Sequence, residues 1–226
     1  MVQLHAAIAN VPVNRPTTDV ELVLHVETGA VTGPEVSRTL SQLGYELQLP
    51  VHKDSPSHRF SRQRDGLVET VDVMVADHGI SKPPLTIGGR APFQVSAGTQ
   101  ALKRTANFQI LDSAGTVIAT LSIPNALAAL VLKGAAYRED TRDRGRHLED
   151  AALLSTIISD PLARVVELQG SDRSRIIGLY KQLSNLIHPA WALIEEDRRR
   201  DGLYVLDILS RNPQDFATDG ELEPAF

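Results

Sequence analysis

The sequence of 226 residues contains no cysteine. This absence excludes disulfide bonds, zinc sites with thiolate ligands and a cysteine nucleophile. Aromatic residues make up only 4% of the chain, so we expect a core of aliphatic side chains. No apolar run reaches the ~18 residues that a membrane span needs, and the first residues lack the pattern of a signal peptide. These absences predict a cytoplasmic protein with no membrane partner.

The chain also lacks an excess of positive charge. It has 23 basic and 28 acidic residues, which gives a formal net charge of −5. A broadly cationic clamp around nucleic acid is therefore excluded, although basic runs occur locally. Such runs are compatible with contacts to RNA phosphates, but they are more often ordinary helix surfaces. They lie at residues 59–64, 138–146, 173–175 and 198–200.

Several motifs of common enzyme classes are missing as well. The seven histidines show no H-E-x-x-H spacing, which argues against a zinc hydrolase. There is no phosphate-binding P-loop and no G-x-S-x-G nucleophile elbow. Hydrophobic residues make up 42% and charged residues 23%, which is typical of a globular protein and argues against disorder.

Strand signals dominate the first half of the chain. Alternating or β-branched patterns predict strands over residues 19–27, 45–51 and 67–75, with further short strands between 93 and 122. A helix is predicted to begin at Thr32-Gly33-Pro34 and to end at Gly44. Residues 53–63 are polar and indicate no strand. They include the segment Ser57-His58-Arg59-Phe60.

Helical patterns dominate after residue 122. Helices are predicted over residues 124–139, 147–158, 171–188 and 190–210, followed by a loose acidic tail. We therefore expect an α/β (α+β) protein with a small mixed β-sheet. The expected domains are an α/β domain over residues 1–122 and a helical C-terminal lobe over residues 123–226.

Two carboxylates in the first predicted strand suggest a cation site. Asp19 and Glu21 are two residues apart, so they project from the same face of a strand and repel each other unless a cation lies between them. Mg²⁺ prefers such oxygen ligands. The alternative is a solvated strand face, which is the commoner meaning of this pattern. The residues expected to face the core are Val20, Leu22, Leu24 and Val26.

Asp72 is the candidate for a third carboxylate. It lies between Val71 and Val73 in a β-branched run, where an unpaired acid would be costly to bury. On a neighbouring strand it would complete a two-metal site with ions ~3.5–4 Å apart. The alternative is a surface aspartate close to a turn.

The order of these motifs resembles a known family. The pattern R-x-T-x-D-hydrophobic-[D/E] begins at Arg15, and the strand acid follows about fifty residues after Glu21. His58-Arg59-Phe60 precedes that strand, a helix at 124–137 contains Lys133, and Arg146-His147-Leu148-Glu149-Asp150 begins another helix. Together these segments resemble the AbiEii-type branch of the DNA polymerase beta-like nucleotidyltransferase superfamily, which includes toxins of bacterial toxin–antitoxin pairs. The resemblance covers about residues 3–160.

The resemblance implies a Mg²⁺-dependent, toxin-like nucleotidyltransferase whose α/β domain spans residues 1–122. It would move a nucleoside monophosphate from an NTP to a hydroxyl of RNA, such as the tRNA 3′ end, or of a protein. A cognate antitoxin would be its partner. The implied roles are Mg²⁺ binding and catalysis by Asp19, Glu21 and Asp72; catalysis by Lys133 and Asp150; nucleotide binding by Arg15, Thr17 and Lys133; and substrate contact by His58 and Arg59.

Alternatives remain for several of these residues. Lys133 could be a snorkelling lysine on an amphipathic helix, and Arg59 a solvated arginine in a polar loop. Asp150 can orient Lys133 only if a turn at 141–145 folds two helices together, because one continuous helix would separate them by ~25 Å.

The sequence departs from the family pattern at two points. The family's Gly-Gly or Gly-Ser turn, whose backbone cradles phosphates, is absent before Asp19. Residues 1–9 resemble the helix that follows this turn, so either the true start lies upstream or the cradle is missing. Glu21 also stands where aspartate is commoner. These departures favour an alternative function, a catalytically inactive family member that binds a nucleotide or a protein partner.

Overall fold

The structure is a computed structural model that describes residues 1–12, 19–26, 31–78 and 85–217. The chain forms two compact units, Met1–Asn14 with Lys103–Phe226, and Arg15–Leu102. The boundary between the units falls before Lys103, whereas the sequence predicts a domain boundary after residue 122. Both helices and strands are present, so the expected mixed α/β (α+β) class is confirmed.

The described elements follow one another along the chain in this order. The strands are β1 Asp19–Leu24, β2 Glu46–Leu47, β3 Arg59–Arg64, β4 Leu67–Ala76, β5 Phe93–Val95, β6 Thr105–Leu111 and β7 Val117–Pro124. The helices are α1 Val2–Ile8, α2 Gly33–Gln42, α3 Gly98–Lys103, α4 Ala126–Glu139, α5 Arg144–Ser155, α6 Pro161–Val165, α7 Asp172–Leu183, α8 Glu196–Ser210 and α9 Pro213–Ala217, with a 3₁₀ helix at Pro189–Trp191.

The unit Arg15–Leu102 is built around β4. Its sheet has the order β1-β4-β3-β2, and β5 also pairs with β4. β1 and β5 run parallel to β4, whereas β3 is antiparallel to it. Phe60, Val71 and Val73 form one side of the core with Leu40 of α2 and Ile87. β4 is therefore the central strand of the sheet.

The polar segment 53–63 does contain a strand, contrary to the sequence-based expectation. β3 begins at Arg59, and only Phe60 contributes a large apolar side chain to the core. Two of its three arginines pair with a carboxylate across the strand pair: Arg59 with Asp72, and Arg62 with Glu69. Cross-strand charge pairing replaces the apolar alternation by which strands are usually predicted.

The apolar side of β1 is buried only in part. In the pairing with β4, Val20 and Leu22 lie on the sheet face of the core residues Val71 and Val73, as predicted. They are nevertheless 54% and 39% exposed. Leu24 does pack against the core cluster, and Val26 is buried. The apolar contacts of β1 are therefore made at its C-terminal end.

The unit that contains the C-terminal half is mainly helical. α4 is its central helix and packs against α5 and α7. Asn125 caps α4 by accepting a hydrogen bond from the backbone N–H of Ala128 at 2.9 Å. Trp191 is fully buried, and its indole N–H donates to the carbonyl of Leu183 at 3.0 Å. The β6–β7 hairpin belongs to the same unit, in which the His5 ring of α1 contacts Phe108 edge-on.

Two of the predicted helices are shorter in the structure. α7 ends at Leu183, and α8 begins only at Glu196, because a 3₁₀ helix that starts at Pro189 precedes it. In the predicted loose tail, α9 forms and buries Phe216. Residues 218–226 lie outside the described residues. Among the residues that the structure describes, no helix is long and apolar enough to cross a membrane.

The close packing of α4 against α7 can be tested at one glycine. A Cβ on Gly134 would lie 3.0 Å from the Cβ and the carbonyl oxygen of Arg175, whereas a Cβ on Gly178 of α7 would meet nothing within 4 Å. Gly178→Ala should stabilise the protein by about 1 kcal/mol through helix propensity. In Gly134→Ala a packing penalty of ~1–3 kcal/mol offsets that gain. Urea denaturation should therefore find Gly134→Ala the less stable variant, and equal stabilisation by both substitutions would contradict this packing.

Candidate active site

Three predicted carboxylates lie on one side of two neighbouring strands. In the parallel pairing of β1 with β4, Glu21 is directly opposite Asp72 and Asp19 is opposite Thr70. Because side chains alternate along a strand, Asp19 and Glu21 share the sheet face of Asp72. We call Asp19, Glu21 and Asp72 the acid face. The structure thus brings these three predicted residues together on one surface of the sheet.

Asp72 is held by an arginine. Its residue is only 7% exposed, and both carboxylate oxygens accept hydrogen bonds from Arg59, at 2.8 Å from Nε and 2.7 Å from Nη2. Arg59 is directly opposite Asp72 in the antiparallel pairing of β3 with β4. This bidentate arrangement is the strongest form of an arginine–carboxylate contact, and it offsets the cost of burying the charge of Asp72.

The charges around Arg59 favour its ionised form. The hydrogen bonds to Asp72 raise the pKa of the Arg59 guanidinium above its usual range, and the negative charges of Asp72 and Asp19 act in the same direction. Asp19 is therefore close enough for its charge to act on Arg59. With three carboxylates and one guanidinium, the acid face and Arg59 together have an excess of negative charge.

The acid face fits a divalent metal in chemistry but not in its present arrangement. Three carboxylates are the hard oxygen donors that Mg²⁺ prefers. However, Arg59 occupies both oxygens of Asp72. Within the described ranges, no group of three histidine, cysteine, aspartate or glutamate residues is arranged to hold a metal ion. Of the three expected ligands, Asp72 is thus engaged by Arg59 within the protein.

His58 and Ser57 lie directly before Arg59. The His58 ring packs against Phe93 with a centroid distance of 5.2 Å, and its carbonyl accepts from the Val73 backbone N–H. Ser57 Oγ and His58 Nδ1 are both buried and have no hydrogen-bond partner among the described residues. His58 therefore directly precedes Arg59 in the chain, and it is held by packing and backbone contacts.

Lys133 and Asp150 form an ion pair in the helical unit. The Lys133 Nζ lies 2.9 Å from Asp150 Oδ2, and both side chains are about 15% exposed. Lys133 lies on α4 and Asp150 on α5, and the turn between the two helices occupies residues 140–143. The sequence-based requirement that a turn bring these two residues together is thus met.

A second charged cluster surrounds the same turn. Asp140 accepts hydrogen bonds from the backbone N–H groups of Arg142 and Asp143 and lies 3.2 Å from His147 Nε2. The bond from the Arg142 N–H, supported by these other contacts and by the charge of Arg146, holds the pKa of Asp140 far below its usual range. Asp140 therefore stays ionised and fixes the start of α5, two turns before Asp150.

The remaining predicted residues and the cavities add little to this site. Arg15 and Thr17 lie outside the described residues. Two open cavities of about 420 and 450 Å³ occur in the helical unit, one of them lined by Arg138 and Arg175 and the other by Tyr180 and Tyr204. Neither cavity is lined by a predicted site residue.

Comparisons with known proteins found no matching family model, no matching curated protein and no matching solved structure.

The pairing of Arg59 with Asp72 is the feature that sequence analysis missed, although a signal for it exists. Asp65-Gly66 is a favoured dipeptide for a two-residue hairpin turn, and both residues have positive φ, 50° and 79°. A turn there pairs Arg64 with Leu67, and counting outward pairs Arg59 with Asp72. The hairpin turn therefore indicates the partner of the buried acid.

The buried histidine next to the Lys133–Asp150 pair generates a prediction on pH. Burial lowers the pKa of His147 below its usual value; the hydrogen bond with Asp140 opposes this shift, and the charges of Lys133 and Arg146 add to it. Below pH ~6.5 the His147 side chain is therefore protonated in the unfolded chain more readily than in the folded protein. The free energy of unfolding should fall as the pH decreases from 7.5 to 5.5.

Urea denaturation at the two pH values measures this loss. His147→Gln should reduce the loss without abolishing it, because burial also lowers the pKa of His5. His78→Gln is the matched control, since the side chain of His78 is exposed. If His147→Gln loses as much stability as the wild type between pH 7.5 and 5.5, His147 does not cause the effect.

Proposed function

We propose that this protein is a nucleotidyltransferase that moves a nucleoside monophosphate from an NTP to an acceptor hydroxyl. The observation that supports this best is the pairing of β1 with β4. It puts Glu21 beside Asp72 with Asp19 on the same face, so that three carboxylates lie on adjacent parallel strands. Phosphoryl-transfer enzymes need carboxylates in such a cluster because their catalysis depends mainly on positioning and charge neutralisation.

The proposed reaction is a substitution at phosphorus. The hydroxyl oxygen of the acceptor forms a bond to the α-phosphorus, the bond from that phosphorus to the bridging oxygen breaks, and pyrophosphate leaves. The hydroxyl proton passes to a base, for which Asp72 is our candidate. Asp19, Glu21 and Asp72 would hold Mg²⁺, whose charge offsets that of the phosphates.

The ion pair in the helical unit has a proposed role in binding the nucleotide. Lys133 would contact the triphosphate, and Asp150 would orient its ammonium group. Their contact at 2.9 Å supports the second role. Arg15, Thr17, His58 and Arg59 are candidate contacts to nucleotide or acceptor.

The acceptor and the partner are proposed from the resemblance to the AbiEii-type family. We propose that the protein acts as a toxin in the cytoplasm, where NTPs and tRNA are available, and that its first acceptor to test is the tRNA 3′ end. A protein hydroxyl is the second acceptor. A cognate antitoxin would be its protein partner.

One observation favours a second candidate function. Both oxygens of Asp72 accept from Arg59, so one of the three proposed metal ligands is engaged within the protein. A protein that has lost metal-dependent catalysis would tolerate such an internal pair permanently. The second candidate is therefore a catalytically inactive member of the same fold that binds a nucleotide or a protein partner.

A transfer assay tests the proposed function. The full chain is incubated with Mg²⁺, each labelled NTP and total tRNA, and label in the RNA is counted. We expect transfer by the wild type and at least a ~100-fold loss of activity in Glu21→Gln. Substitution of residues that only hydrogen-bond to a metal ligand already reduces activity about 10–100-fold, and Glu21 is proposed as a ligand itself. Asp65→Asn is the matched control, since Asp65 lies in the β3–β4 turn with its side chain 89% exposed.

The assay also separates the two candidates. Equal transfer by Glu21→Gln and wild type would exclude the acid face from catalysis. For this purpose label is also counted in the protein fraction, and NTP binding is measured by a separate titration. Tight NTP binding by the wild type without any transfer of label would replace the proposed enzyme with the inactive binding protein.

A further inference from the structure

The β6–β7 hairpin has almost no charge. Within residues 105–124 the only ionisable side chain is that of Asp112. Its Oδ1 accepts hydrogen bonds inside the turn from the backbone N–H groups of Ala114 and Thr116, both at 2.9 Å. The whole chain, by contrast, has a formal net charge of −5. The hairpin is therefore an uncharged surface on an acidic protein.

The first strand of the hairpin is partly covered, whereas the second is open. Residues of β6 alternate between exposed and half-buried positions, and the ring of Phe108 contacts His5 of α1. In β7, all of residues 117–122 are exposed. Leu121 lies directly opposite Phe108, on the same face of the hairpin, yet it is 39% exposed. Because α1 contacts β6 and only the last residue of β7, Pro124, both faces of β7 are open along most of its length.

The outer edge of β7 presents backbone groups that β6 does not use. The N–H of Asn125 donates to the carbonyl of Arg104 at 2.7 Å, and hydrogen-bonded pairs alternate along the antiparallel ladder from there. Thr120 and Ser122 therefore direct their N–H and C=O groups away from β6. Among the described residues β6 and β7 form a sheet of two strands, and no third strand pairs with this edge.

The usual protection of an exposed edge strand is missing from most of β7. Charged side chains, prolines and bulges normally keep such edges from pairing with another chain. β7 has no charged residue, its proline is its last residue, and its one irregularity lies at Ile118, next to the turn. Residues 119–123 are regular and uncharged. A sheet of two strands is only marginally stable by itself, so further strands would stabilise it.

The charge pattern favours a second copy of this chain as the molecule that pairs with β7. An edge that selects a basic partner would present acidic side chains, and β7 presents none. Two copies with a net charge of −5 repel each other, so they approach most readily where the surface is uncharged. An antiparallel strand can also pair with its own copy about a two-fold axis, which is the commonest symmetry of dimers.

We propose that the protein forms a dimer in which the β7 strands of two copies pair antiparallel, so that the two hairpins become one sheet of four strands. The two-fold axis passes beside Leu121, because this register puts the two exposed leucines directly opposite each other and removes them from water. Thr120 of each copy then forms backbone hydrogen bonds with Ser122 of the other. This interaction surface is independent of the proposed transfer reaction.

Proline substitutions at the two edges of the hairpin test this pairing. Thr120 and Gln109 lie directly opposite each other, in a pair whose backbone groups point outward. Sedimentation equilibrium of the full chain should find the wild type dimeric at ~100 µM. Thr120→Pro removes one N–H from the edge of β7 in each copy and should weaken the dimer at least ~10-fold. Gln109→Pro is the matched control at the edge of β6 and should dimerise like the wild type.

Substitutions of Leu121 test the register, and they replace the proline variants if those do not fold. Leu121→Lys and Leu121→Glu each put like charges opposite each other across the axis, so each should be monomeric where the wild type is dimeric. An equimolar mixture of the two puts opposite charges there and should restore a dimer with one copy of each. Added salt should strengthen the wild-type dimer, because it screens the repulsion between two acidic chains.

Each of these measurements has a result that would overturn the proposal. A wild type that stays monomeric at ~100 µM would leave the edge to a strand of another protein. A folded Thr120→Pro that dimerises like the wild type, or a Gln109→Pro that is weakened equally, would exclude β7 as the interface. A mixture of the two Leu121 variants that stays monomeric would exclude the two-fold pairing, and a dimer that dissociates in salt would contradict an uncharged interface.

Discussion

The buried carboxylate of Asp72 on the central strand β4 constrains the structure of the unit Arg15–Leu102. β4 pairs with β1 on one side and with β3 on the other, so Asp72 cannot reach solvent by moving to an edge. A carboxylate that is 7% exposed needs an opposite charge nearby. Arg59 supplies it, and the register of the β3–β4 hairpin is the only arrangement that puts the two residues directly opposite each other. The structure of the hairpin and the chemistry of the acid face therefore depend on the same contact.

Each compact unit contains a charged pair within itself. In the sheet unit Arg59 pairs with Asp72 of the acid face, and in the helical unit Lys133 pairs with Asp150. In both units a positively charged side chain forms an ion pair with a carboxylate. These ion pairs offset the cost of burying the charged groups.

The sequence was sufficient to predict those elements whose structure is determined by the pattern of neighbouring residues. The strand that contains Asp72 and the two helices α4 and α5 lie close to where the sequence predicts them, because apolar periodicity and helix punctuation are local properties. The contact of Lys133 with Asp150 was implied by the family resemblance, on the condition that a turn folds the two helices together. β3 was missed because Arg59 and Arg62 are neutralised by residues of another strand, which no local pattern reveals. The exposure of Val20 could not be predicted for a similar reason, because it depends on which elements pack against β1. The roles of the acid face in catalysis stay predictions, since geometry alone does not establish a reaction.

The proposed metal-binding role of the acid face is tested most directly by a crystal structure of the full chain with Mn²⁺ and a non-hydrolysable NTP, in which the anomalous signal locates the metal. We expect a Mn²⁺ ion bound by carboxylates of Asp19, Glu21 and Asp72 and by the triphosphate, with Arg59 released from Asp72. A metal–nucleotide complex bound elsewhere, with the Arg59–Asp72 hydrogen bonds intact, would contradict it.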